Sequence, residues 1–206
     1  AGEGLTMNAR HLKLQGKENS HFLNAWKGSA VSIEDIKADD FGSGTFISVF
    51  DNTDLHIADM KLTDWNGKGI ELYASSSLFL KNSDMIHVDR GVYVFLESSI
   101  DIQDSLFEAN TKAIQIQTSD AVIRKTDFEQ NQYAILQDVD DGAFRLIDAT
   151  ENWFGTSTHP NTQDINKISG NIHFTPWSKT KNRTDIKICC SNVLFFPGLM
   201  GSRLYQ

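Results

Sequence analysis

Side chains that could perform acid–base or metal chemistry recur at intervals of 21 to 23 residues in the middle of the chain. They are Asp59, Asn82, Asp104 and Lys125. His56 and Asp101 each stand three residues ahead of one of them. Clustered carboxylates beside a basic residue suit Ca²⁺-dependent cleavage of an acidic polysaccharide, and two or three clustered acids suit hydrolysis of a glycosidic bond. The alternative is a polar, solvated surface on which no chemistry takes place.

A second set of residues, with a spacing of 22 positions, could bind a sugar. Its members are Glu71, Tyr93 and Gln115. An aromatic ring can stack on the apolar face of a sugar, while carboxylate and amide groups hydrogen-bond its hydroxyls. We therefore predict glycan contacts at Tyr93, Glu71, Gln115, Asp101 and Asp104. A solvated sheet face without a ligand is again the alternative.

The sequence contains one short stretch that begins like a calcium-binding loop. This stretch, DVDDG at 138–142, has no further Asp or Glu until Asp148, so most ligand positions are empty. The six histidines lack the short paired spacing of a zinc site. We predict an exposed turn here and no metal or cofactor, with Ca²⁺ left open as an alternative.

Internal repetition organises the chain. Apolar pairs separated by one residue recur in steps of 24, 23, 22, 21 and 23 residues. These pairs are Val31 and Ile33, Leu55 and Ile57, Leu78 and Leu80, Ile100 and Ile102, Ala121 and Ile123, and Phe144 and Leu146. The several leucines and fixed Asn of a leucine-rich repeat are missing. The pattern predicts an all-β parallel β-helix with three short strands per coil of about 22 residues.

Further positions repeat with the same period. Inward positions are predicted for Leu62, Met85, Phe107 and Phe128 and, as a polar ladder, for Ser83, Ser105 and Thr126. Small residues open the third strand of four coils, namely Gly69, Gly91, Ala113 and Ala134. Asn66, Asn110 and Asn131 stand three residues ahead of three of these. An Asn there is expected to hydrogen-bond its own backbone and to tolerate left-handed geometry.

The repeat period also indicates where the first coil, the regular coils and the C-terminal cap begin and end. Leu12 and Leu14 form an apolar pair 19 residues before Val31, so residues 1–28 are predicted to be an irregular first coil. Regular coils are expected over 29–150. Residues 151–178 break the period and are predicted to form a C-terminal cap with one short helix over 162–168. Trp153 and Trp177 present large apolar faces that suit a lid on the last coil.

The cap carries a specific resemblance. Its matching stretches are NWFG at 152–155, GNI at 170–172 and Pro176-Trp177. The segment resembles the C-terminal closing element of bacterial right-handed parallel β-helix proteins of the pectate-lyase-like superfold. The resemblance implies a right-handed coil, a polysaccharide or cell-surface glycan as the partner, and an extracellular or cell-surface location.

The last residues differ from the repeats. The polar segment 179–191 is predicted to be a linker, and 193–196 is a continuous apolar run followed by PGLMGSRL at 197–204. This end resembles the first turn of α/β-hydrolase lipases, most closely the lecithin-cholesterol acyltransferase-like group. The resemblance implies a truncated hydrolase start over 192–206, with the backbone N–H of Leu199 or Met200 in an oxyanion hole. No G-x-S-x-G motif occurs in the sequence, so a complete site would need a downstream hydrolase domain.

Composition and net charge restrict the classes of molecule that this chain is expected to bind. The net charge is −8 and the pI about 5.1, which disfavours binding to nucleic acid because phosphates require clustered Lys and Arg. No apolar run is long enough for a membrane span. The chain is predicted to be a noncatalytic β-helix stalk or glycan-facing surface attached to a truncated lipase-like hydrolase. The alternative is a β-helix lyase or glycoside hydrolase acting on an acidic polysaccharide, so enzymatic activity is left open.

Overall fold

The computed structural model describes residues 6–15, 21–39, 42–138, 145–160 and 164–181, which form an all-β parallel solenoid of about seven coils. The first eight strands are β1 (Thr6–Gln15), β2 (Leu23–Ala25), β3 (Ala30–Asp39), β4 (Ser43–Val49), β5 (Asp54–Leu72), β6 (Ser77–Lys81), β7 (Asp84–Val94) and β8 (Ser99–Gln103). The others are β9 (Leu106–Glu108), β10 (Lys112–Ile116), β11 (Asp120–Arg124), β12 (Asp127–Glu129), β13 (Tyr133–Gln137), β14 (Ile147–Asp148), β15 (Lys167–Ser169) and β16 (Ile172–His173).

Each coil passes through three faces, which we number in chain order. Inward residues define them: Val31, Leu55, Leu78, Ile100 and Ala121 on face 1, Ala38, Leu62, Met85, Phe107 and Phe128 on face 2, and Ile47, Ile70, Val92, Ile114 and Ile135 on face 3. Within each set, every residue pairs with the next in parallel register. The predicted stacking of coil upon coil is therefore confirmed.

The core is a continuous column of apolar side chains that runs the length of the solenoid. Near its C-terminal end the rings of Phe107, Phe128 and Phe154 stack, with centroid separations of 5.6 and 5.3 Å. Side chains alternate along a strand, so Phe154 takes the inward position and its neighbour Trp153 stays half-buried outside. Trp177 is 6% exposed and packs near Phe174. Phe154, and not Trp153, joins Trp177 in closing the core.

A polar ladder interrupts this apolar interior, as predicted. The Ser83 hydroxyl accepts a hydrogen bond from the N–H of Met60 at 3.1 Å, and the Ser105 hydroxyl accepts one from the N–H of Ser83 at 3.2 Å. The side-chain oxygen of Asn152 accepts one from the N–H of Thr126 at 2.8 Å. The three hydroxyls also donate to backbone carbonyls two residues earlier. Three pairs of neighbouring coils are thereby bonded through a side chain.

A second ladder, of asparagines, lies at the corner between faces 2 and 3. Asn110, Asn131 and Asn166 are buried and stack, with each side-chain oxygen accepting from the preceding coil. The expectation that such residues bond their own backbone is wrong, because the neighbouring coil presents unpaired N–H groups at this corner. Asn66 is exposed and takes no part. The left-handed residues here are the ones before the asparagines, Ala109 and Gln130.

The small residues that open the third strand are required by close approach of the backbone. A Cβ atom added to Gly91 would lie 2.5 Å from the carbonyl oxygen of Ala113 and 2.9 Å from the Phe107 ring. Neither atom is the free end of a flexible side chain. The corner between faces 2 and 3 therefore selects a small residue, consistent with the pattern in the sequence.

Two register assignments made from the sequence are wrong at the ends of the repeat. Met7 pairs with Val31 and Leu12 with Ile36, so Leu12 and Leu14 belong to face 2 and the first coil keeps the offset of its neighbour. In the last coil Val122 pairs with Asp148, which places Ile147 inward. Leu146 is 64% exposed and does not continue the core, while Phe144, the other member of the predicted pair, lies outside the described residues. Extra residues between β13 and β14 shift the register.

The helix predicted over 162–168 is not present where the segment is described. Lys167–Ser169 is strand β15, paired with β13 from Tyr133 to Leu136. Two features favour a strand: the edge of β13 offers unpaired backbone groups, and Asn166 extends the asparagine ladder. Residues 162–163 lie outside the described ranges.

Candidate functional site

A shallow groove of about 320 Å³ runs over the outer side of face 1. It is built by the first part of β5 and by β6, β8 and β11. Parallel pairing of these strands aligns each outward residue of one coil with the equivalent residue of the next coil. His56, Phe79, Asp101 and Val122 form one column in this way. Ser77, Ser99 and Asp120 form the neighbouring column and also line the groove.

The groove combines an aromatic platform with hydrogen-bonding groups. The rings of His56 and Phe79 lie 5.8 Å apart with a tilt of 42°, and Phe79 is half-buried. The Asp101 carboxylate accepts from the Gln103 amide at 3.0 and 3.2 Å. Arg145 contacts Asp120 at 3.1 Å. Such a surface can stack a sugar ring and hydrogen-bond its hydroxyls.

A further carboxylate lies in the groove column one coil beyond Val122. Asp148 accepts a hydrogen bond from Arg124 at 2.6 Å and another from Thr150. Partial burial raises the pKa of Asp148, but these hydrogen bonds outweigh that effect and hold its pKa below the usual value. The Asp148 carboxylate is therefore ionised at neutral pH, and it forms a salt bridge with Arg124.

The predicted catalytic column exists, but backbone geometry explains its residue types. Asp59, Asn82, Asp104 and Lys125 lie at the corner between faces 1 and 2 with φ values of 56, 48, 50 and 51°. Asp and Asn tolerate this left-handed conformation because their short polar side chains can bond locally. The Asn82 amide donates to the Asp59 carboxylate. Asp104 therefore lies beside the groove at a structural corner, whereas Asp101 lies in the groove.

The predicted binding residues Glu71, Tyr93 and Gln115 do form a column, but on face 3. Glu71 is 5% exposed and is paired with Lys68, while Gln115 is 4% exposed. The Lys68 ammonium lies over the Tyr93 ring, 5.1 Å from the ring centroid. Neighbouring side chains thus cover Glu71 and Gln115 but leave Tyr93 half-buried, and the column lies on a different face from Asp101.

Sequence reasoning missed an aromatic column beside it. Phe50 and Tyr73 stack at 4.8 Å, and Tyr73 contacts Phe95 edge-on. Burial, followed by a hydrogen bond to Glu71, raises the pKa of the Tyr73 hydroxyl well above its usual value. The signal was present in the sequence as aromatics at 26, 50, 73 and 95. These ring contacts join neighbouring coils, and Phe50, Tyr73 and Phe95 are each half-buried.

Several predicted features lie outside the described residues. Leu199 and Met200, the linker beyond 181 and the hydrolase-like end are among them, as are residues 139–142 of the acidic loop. Within the described ranges, no group of three or more His, Cys, Asp and Glu side chains could hold a metal ion. The same ranges contain no helix with the length and apolar character of a membrane span.

The parallel register of coil upon coil defines a class of protein, the parallel β-solenoids. Comparison with family models agrees with the geometry: the model described as right handed beta helix region matches residues 21–172, about three quarters of the chain. The chain belongs to this right-handed β-helix family. No curated protein and no solved structure matches it in the corresponding comparisons.

Proposed function

We propose that this chain is a noncatalytic glycan-binding β-helix module, in which a linear oligosaccharide lies in the face 1 groove along the solenoid axis. The observation that carries the proposal is the alignment of His56, Phe79 and Asp101 in one outward column on a rigid parallel sheet. Fixed side chains lose little conformational freedom when a ligand binds. An oligosaccharide that lies along the solenoid axis contacts the ring of Phe79 and then the carboxylate of Asp101.

The aromatic platform provides the first test. Phe79→Ala is expected to weaken binding about tenfold or more, since burying a Phe side chain is worth about 1.5–3 kcal/mol. The measurement is affinity electrophoresis and calorimetry of the full chain with oligosaccharides derived from cellulose, xylan, chitin, chitosan and polygalacturonate. Ile86→Ala removes an outward apolar side chain from the same coil on face 2 and is expected to bind normally. Equal affinity of both variants would contradict the groove as the site.

A polysaccharide-cleaving enzyme is the second candidate, because His56 and Asp101 line the same groove. This reading predicts new reducing ends or unsaturated products when the chain is incubated with polygalacturonate and Ca²⁺. We expect no product. Turnover that disappears in the Asp101→Asn and Asp104→Ala variants would establish the enzyme instead.

The lipase-like C-terminal segment motivates a second part of the proposal, which concerns a longer protein that would contain this β-helix. We propose that the β-helix is an extracellular or cell-surface module joined to a serine hydrolase whose first turn includes Leu199 and Met200. The support is the sequence PGLMGSRL at 197–204 after an apolar run. Sequencing the gene beyond the codon for Gln206 tests it: a further strand and a G-x-S-x-G elbow are expected, and a stop codon or an unrelated continuation would contradict it.

A further inference from the structure

We propose that the face 1 groove selects a neutral glycan whose sugar rings carry acetamido groups, the class of the N-acetylhexosamines. This inference rests on the proposed function and names the chemical class of its ligand. The residues that carry it are Phe79, Asp101 and Val122, which follow one another in one outward column in parallel register. All three are half-buried and line the groove.

The charges around the groove are balanced, which favours an uncharged ligand. Asp120 lines the groove and is paired with Arg145 at 3.1 Å. Asp101 also lines it, and the adjoining outward column of the same face carries Lys81 and Arg124. A polyanion would meet the carboxylates and a polycation would meet the basic side chains. Neither class of polymer therefore gains a net electrostatic advantage at this surface.

The order of side chains along the column matches the order of atoms in an acetamido group. Phe79 provides an aromatic platform, Asp101 a hydrogen-bond acceptor in the next coil, and Val122 an apolar side chain in the coil after that. Successive coils lie about 4.8 Å apart. An acetamido group has its N–H donor next to the sugar ring and its methyl group at the far end. When the ring stacks on Phe79, the N–H can donate to the Asp101 carboxylate and the methyl group can pack on Val122.

Other substituents at the same place satisfy only part of this column. A hydroxyl or an ammonium group donates to Asp101 but has no methyl group to extend to Val122. A uronate carboxylate would meet Asp101 as like charge. The neighbouring column supplies the hydroxyls of Ser77 and Ser99, which suit the ring hydroxyls that all hexoses share. The combination of an acceptor with an apolar side chain one coil beyond it therefore distinguishes acetamido sugars from other hexoses.

Two hexasaccharides with the same backbone and linkage test the inference, because chitohexaose carries an acetamido group where cellohexaose carries a hydroxyl. Calorimetry with the full chain is expected to give about fourfold tighter binding, or more, for chitohexaose, which corresponds to the burial of one methyl group. Its affinity is expected to change less than about twofold between low and high salt, because the ligand is uncharged. Fully deacetylated chitohexaose and hexagalacturonate are expected to bind more weakly than chitohexaose.

Val122→Thr is the decisive variant, since it keeps the shape of the side chain but replaces one methyl group with a hydroxyl. The preference for chitohexaose over cellohexaose is expected to fall below about twofold, while cellohexaose still binds. Ile86→Thr is the matched control, because it introduces the same hydroxyl at an outward apolar position on face 2. It is expected to leave the preference unchanged. Thermal melting of both variants checks that the fold is retained.

Equal affinity for chitohexaose and cellohexaose, or a preference that persists in Val122→Thr, would overturn the inference while leaving a glycan site in the groove. Tighter binding of the deacetylated or the uronate form would overturn it in the same way. A preference that is lost equally in Ile86→Thr would mean that Val122 does not contact the acetyl group, and this too would overturn the inference. Failure of all these oligosaccharides to bind would overturn the inference together with the proposed function for these glycans.

Discussion

Replacing Asn131 with alanine is expected to lower the free energy of unfolding by about 3–5 kcal/mol. The Asn131 side-chain oxygen accepts from the N–H of Asn110 at 3.0 Å and from the Asn110 amide at 2.9 Å. Its own amide donates to the carbonyl of Phe107 at 2.9 Å. The residue is fully buried, so water cannot replace these bonds without opening the corner. Urea unfolding followed by circular dichroism measures the change.

The control for this experiment is Gln132→Ala. Gln132 is exposed at the same corner, and its substitution is expected to change stability by less than about 0.5 kcal/mol. Because solenoid stability is close to a sum of coils and their interfaces, the Asn131 variant should lose protection first in the coils on either side of it. Hydrogen exchange resolves this. A uniform loss along the solenoid, or a stability equal to that of Gln132→Ala, would contradict the role of the ladder.

The second large effect is expected for Phe128→Ala, with a loss of about 3–5 kcal/mol in the free energy of unfolding. The ring is fully buried between Phe107 and Phe154. Its removal leaves a cavity in the solenoid axis and also removes two aromatic contacts, each worth about 0.5–1.5 kcal/mol beyond area. The backbone is tied to both neighbouring coils, so collapse around the cavity is limited. Denaturant unfolding measures the loss.

Leu106→Ala is the matched comparison. Leu106 lies on face 2 in the preceding coil, but it points outward and is half-buried. A loss of about 1 kcal/mol or less is expected, the range usual for substitutions away from the core. If the two variants were equally destabilised, the inward assignment of the Phe107, Phe128 and Phe154 column would be wrong.

The stability of the scaffold and the proposed binding site depend on different sides of the same strands. Inward residues and the two ladders hold the coils in register, while the outward residues His56, Phe79 and Asp101 of face 1 lie outside the core. Phe79 illustrates this, because its neighbours Leu78 and Leu80 are buried and it is half-buried itself. Substitutions in the groove are therefore expected to alter binding without unfolding the chain.

The candidate site was only partly predictable from the sequence. Spacing brought His56 and Asp101 together as candidates, and both line the groove. The same spacing selected Glu71 and Gln115, which are buried under neighbouring side chains. Phe79 was not selected, although it lies in register between His56 and Asp101. Periodicity specifies which residues share a column, but it does not specify which columns other side chains cover.

By itself the sequence determined the repeat, the inward residues and the stacking partners, as the pairing of Leu78 with Ile100 and Ala121 shows. These follow from local rules, since alternation along a strand and a constant coil length leave one register that buries every apolar pair. Tertiary structure alone decided the hydrogen bonds of the asparagine corner and the register at the two ends. Asn110 bonds to Asn131, Lys167–Ser169 became a strand, and the first coil took its register from the second. Each outcome depends on which unpaired backbone groups the adjacent coil presents, and that information is not local to the segment.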